Sequence, residues 1–104
     1  MPFQTEPTYY IKGVFSDLQG AWACLRNAVV NLPPSETQHK LIFHIDEGMS
    51  WESVRDLKQM GNTILLILNI IRQAEVSKEV CDWMEDVREH FDDVMSCIKK
   101  GEIL

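Results

Sequence analysis

The sequence predicts a small α+β domain, mostly helical and ordered β-α-β-α-α, with a C-terminal antiparallel helical hairpin as its backbone. Three observations carry that expectation. The last third holds two interleaved stripes, one apolar (Val80, Met84, Val87, Phe91, Val94, Ile98) and one acidic (Glu75, Glu79, Asp82, Asp86, Glu89, Asp93). Both advance by alternating steps of four and three, so each keeps to one side of a helix. Leu18, Trp22, Leu25, Val29 and Leu32 repeat the same stepping nearer the start. Two short segments, Thr8–Phe15 and Leu41–Ile45, are rich in aromatic and β-branched residues and read as strands.

In chain order, residues 1–7 hold two prolines and no pattern, and are expected to form a loose arm. The strand over Thr8–Phe15 contains Gly13, a candidate bulge. Ser16 with Gln19 three residues on has the form of a capping box, and the helix it opens ends at Pro33-Pro34. A polar connector leads to the second strand, Leu41–Ile45, and Asp46-Glu47-Gly48 forms the turn that completes a strand–helix–strand unit over 8–48. Residues 50–100 are expected to form the hairpin. Ser50 caps a helix running to about Ala74, with Val54, Leu57, Gly61, Ile64, Leu68 and Ile71 as its seam. A competing reading stops that helix at Gly61-Asn62 and makes Thr63–Ile71 a buried strand. Ser77 caps the last helix, and Lys99-Lys100 followed by Gly101 has the character of a helix C-terminus.

With 104 residues the chain is read as a single domain over 1–104. Its net charge of −6 is lopsided: residues 1–74 carry seven acids and six bases, residues 75–104 nine and four. That balance argues against direct binding to nucleic acid, which needs cations to displace counterions, and against an anionic membrane. Cys24, Cys81 and Cys97 are an odd number without paired spacing. They are expected to be reduced, mostly buried thiols of a cytoplasmic protein. The first residues have no basic start and apolar run of a secretory leader, and the longest apolar stretch, Ile64–Leu68 with Ile70-Ile71, is too short to span a bilayer.

No motif names a reaction. His44 and Asp46, two apart on a strand with Glu47 beside them and His39 near, are the best metal candidate, but solvated histidines are commoner and no metal or other cofactor is expected. Cys24 sits among apolar neighbours and Cys97 at a helix C-terminus, neither of which activates a thiol. Neither a phosphate loop nor a nucleophile elbow occurs.

What remains is a non-catalytic, acidic protein-binding module. Leu66 and Ile70 fall at outward positions of the middle helix, and with Trp51 they form a candidate self-association surface, which makes a homodimer the expected state. Glu79, Asp82, Asp86, Glu89 and Asp93 form a candidate face for a basic or nucleic-acid-binding protein partner. Such a domain would engage or inhibit another macromolecule, as small accessory proteins of phages and mobile elements often do, an association rather than a derivation. Two alternatives stand beside it. One is a nucleic-acid mimic using the acidic face, although one carboxylate per ~5 Å of helix is sparse against one charge per ~1.7 Å of duplex. The other is a small-ligand sponge or sensor with its pocket between protomers.

Overall fold

In the computed structural model, which describes residues 6–99, the chain is a bundle of four helices: α1 (Glu6–Val30), α2 (Glu36–Ser53), α3 (Leu57–Ala74) and α4 (Lys78–Lys99). Among the described residues there is no strand, which overturns the α+β expectation. Thr8–Phe15 lies within α1 and Leu41–Ile45 within α2. Most of the arm expected over 1–7 lies outside the described residues, as does Gly101.

The reason the first strand fails is visible in the core. Phe15, Leu18, Trp22, Leu25 and Val29 are all buried along one face of α1, so the four-and-three stepping already includes Phe15. Tertiary burial of that face outweighs the β preference of the aromatic and β-branched residues. Ser16 is therefore no cap but an exposed residue within the helix.

The second strand fails because α2 hides its period behind polar residues. Its buried positions are Gln38, Leu41, Ile45, Gly48 and Glu52, again spaced three and four apart. Each polar member has a partner on α1. The Gln38 side-chain amide donates to the carbonyls of Val29, Val30 and Leu32, at 3.1, 3.1 and 2.9 Å, which caps the end of α1. The Gln19 amide donates to both oxygens of Glu52, at 3.1 and 3.0 Å. Gly48 has no side chain because the Trp22 ring occupies its place: a Cβ there would stand 2.5 Å from Cη2 of the indole. Asp46-Glu47-Gly48 is thus mid-helix, not a turn. Ser35, directly after the two prolines, is the true cap and accepts from the Gln38 N–H.

The long middle helix expected from Ser50 is two helices. α2 ends in a Schellman arrangement, in which the Asp56 N–H donates to the Trp51 carbonyl (2.9 Å) and the Arg55 N–H to the Glu52 carbonyl (3.0 Å). That geometry puts Arg55 at φ 60°, where glycine is usual. Its guanidinium lies 3.7 Å from the centroid of the Phe15 ring, a cation–π contact that holds this turn to α1. Asp56 then caps α3 by accepting from the Gln59 N–H. Thr63–Ile71 is helical, which decides between the two sequence readings.

The four helices form an incomplete ring. α1 packs most extensively against α4, α2 against α3, and α1 against α2; α1 with α3 and α2 with α4 are diagonal, with no close approach of their backbones. α3 and α4 are consecutive, yet they meet only lightly. The hairpin expected to be the backbone of the domain is its loosest pair. α3 turns Met60, Thr63, Ile64, Ile67 and Ile71 into the core, a stripe rotated from the expected seam.

Candidate functional site: a groove between the third and fourth helices

Four of the six positions expected to seal the hairpin line an open groove. Leu57, Ile64, Leu65 and Leu68 of α3 face Phe91 and Met95 of α4 across a depression of about 450 Å³. Gly61 sits at its waist, where a Cβ would stand 3.2 Å from Cζ of Phe91. The lining from Leu57 to Leu68 spans about 17 Å at 1.5 Å per residue, three turns of helix. Leu65 forms a protruding lip, 67% exposed.

The rim is polar and close to electrically balanced. Lys58, Arg88 and Asp92 border the groove. Arg88 donates Nε–H to Glu85 at 2.8 Å and Nη2–H to its second oxygen at 3.1 Å, and contacts Asp92 at 3.3 Å. The hydrogen bond to Glu85, then its charge, raises the Arg88 guanidinium above its ordinary range. This cation is committed to its own helix.

The acidic residues singled out in the sequence lie elsewhere on α4. Glu79, Asp82, Glu89 and Asp93 are exposed and Asp86 is half-buried, and by helical rotation the stripe is centred on the side away from the groove. Asp82 pairs with Lys78 at 3.0 Å, and Asp86 lies 3.7 Å from Nε2 of His90.

The expected self-association residues are dispersed. Leu66 is 43% exposed and Ile70 half-buried, on the flank of α3 away from the groove. Trp51 is not at the start of a helix but in the last turn of α2, half-buried. With Phe43, Asp46, Glu47, Ser50 and Val54 it lines a shallow depression of about 420 Å³ on the outer side of α2. Phe43 and Val54 are exposed there; sequence reasoning missed Phe43 by treating Leu41–Ile45 as a strand, and Val54 by placing it in the seam of one long helix.

The histidine cluster dissolves for the same reason. On a helix, His44 and Asp46 point about 200° apart. His44 Nδ1 meets Glu47 at 3.1 Å, while Asp46 takes Arg26 Nε–H at 2.7 Å. Among the described residues no three His, Cys, Asp or Glu side chains converge as metal ligands. Of the thiols only Cys97 is buried; Cys24 is half-buried, and Cys81 is exposed rather than buried as expected. No helix among the described residues is long and apolar enough to cross a membrane.

No protein-family model, curated protein or solved structure matches this chain.

Proposed function

We propose that this chain is a non-catalytic cytoplasmic protein-binding module that engages another protein by taking an amphipathic helix of it into the α3/α4 groove. One observation carries the reading: the bundle leaves its side between α3 and α4 open, and lines it with Leu57, Ile64, Leu65, Leu68, Phe91 and Met95. Apolar surface of this kind, bordered by polar groups, is what helix-in-groove recognition uses. A partner helix with apolar residues at i, i+3 or i+4, i+7 and i+11 matches the three-turn length. The balanced rim favours a partner whose flanks are not strongly charged, and this moves the contact away from the acidic stripe. The three unpaired cysteines suit a reducing compartment.

Site-specific photocrosslinking in source cells tests this. A crosslinker at Met95 captures a defined partner, whereas one at Glu89 on the acidic stripe does not. Leu68→Glu abolishes that capture while circular dichroism stays helical. Capture through Glu89 alone, or a small apolar molecule retained in the native mass spectrum of the purified protein, overturns the reading.

A further inference from the structure

α3 has a second face that the groove does not account for. Its core side holds Met60, Thr63, Ile64, Ile67 and Ile71. Its solvent side contains no acid at all, in a chain of net charge −6. The only charged residues of α3 are Lys58 and Arg72, so this helix carries +2 and the remainder of the chain −8. At the centre of that side stand Leu65 and Leu66, 67% and 43% exposed. Exposed Asn62 and Asn69 flank them, three residues out on each side.

At its centre the arrangement is palindromic, Asn62 and Leu65 mirroring Asn69 and Leu66. Beyond the two asparagines come exposed Gln59 on one side and exposed Arg72 on the other, then Lys58 and Gln73. We infer that this face of α3 binds the same face of a second copy, antiparallel, about a twofold axis passing between Leu65 and Leu66. An isologous contact of this type requires a self-complementary surface. In this register Leu65 lies against the partner copy's leucine at 66, and Asn62 against its asparagine at 69. Gln59 meets the copy's arginine at 72, and Lys58 its glutamine at 73. No charge stands directly opposite a like charge, although at each end of the seam Lys58 lies one position along from the copy's arginine at 72. The side-chain amides can bond to one another, a pairing that fixes register in helical seams. Two copies that each carry −6 repel on their acidic faces, and this side of α3 is free of that repulsion.

A single helix face covers less than the ~800 Å² per partner of a standard interface, so the dimer is weak and reversible. The seam shares Lys58, Asn62 and Leu65 with the groove, but Leu66, Asn69 and Gln73 belong to the seam alone.

The test uses the full chain carrying Cys81→Ser, to remove the exposed native thiol. Sedimentation equilibrium up to about 1 mM, a concentration that populates even a weak dimer, shows a mass rising toward the dimer. Leu66→Glu abolishes the rise, whereas Met95→Glu, which touches only the groove, leaves it. Under oxidation, a mixture of Asn62→Cys and Asn69→Cys chains forms a mixed disulfide dimer, and neither variant crosslinks with itself. A constant monomer mass, a dimer indifferent to Leu66→Glu, or self-crosslinking of Asn62→Cys each overturns the inference. Loss of partner capture in Leu68→Glu with dimerisation intact separates this proposal from the groove's function.

Discussion

Two glycines face aromatic rings in this bundle, and they behave as opposites. Gly48 of α2 receives the fully buried Trp22 ring at a distance that admits no further atom. Gly61 of α3 faces the edge of a half-buried Phe91, where a Cβ at 3.2 Å would need the ring to give by a few tenths of an ångström. At the first, a missing side chain lets two helices close on each other, and the polar pairs Gln38–α1 and Gln19–Glu52 complete the contact. At the second, a missing side chain lets the edge of a half-exposed ring lie against the helix. The same residue type therefore marks one contact that cannot yield and one that can. What distinguishes them is whether the ring is enclosed on every side.

Substitutions can break this comparison. Gly48→Ala is expected to have the largest effect, because the indole has no space to retreat into. Overpacking of this kind costs about 3 kcal/mol, so thermal unfolding should fall by at least about 10 °C. Gln38→Leu comes next. It leaves carbonyls at the end of α1 without their donor, a loss of about 1.5 kcal/mol readable in urea unfolding. Gly61→Ala should be the smallest, within about 0.5 kcal/mol of wild type, since the helix-propensity gain of alanine offsets a small shift of the Phe91 ring. If Gly61→Ala destabilises as severely as Gly48→Ala, α3 and α4 are closely packed in solution and the groove does not exist.

How much could be read in advance follows from the same contrast. α4 was legible as a two-faced helix, with Val80, Met84, Val87 and Val94 buried and most of the acids exposed, because each stripe is chemically pure; its packing partner was not, since the apolar stripe lies mainly against α1 and not against α3. α2 was illegible because three of its buried positions are Gln38, Gly48 and Glu52, which satisfy their needs through α1 and not through apolar character. The break at Arg55 was hidden as well. A Schellman turn normally announces itself by glycine, and here a cation over Phe15 takes that role. Missing that break displaced Trp51 to the wrong end of a helix. The candidate site was half legible. The stripe Leu57, Gly61, Ile64, Leu68 was found, but sequence periodicity reports an apolar face and cannot report whether anything covers it. Leu65 escaped notice because it falls between the two faces of α3.

The pairing of α1 with α4 also bears on how the chain is made. The most extensive contact in the bundle joins the first helix to the last, whose nearer ends, Val30 and Lys78, are 48 positions apart in sequence. α2 can dock on α3 soon after both leave the ribosome, since only a three-residue turn separates them. α1 can close against α2, but its other flank waits until residues up to about 94, where α4 buries Val94, have emerged. At translation speeds of 5–20 residues per second that interval lasts seconds. During it the apolar stripe of α1 is half covered, and α4, synthesised after the other three helices, is the one that shuts the fold.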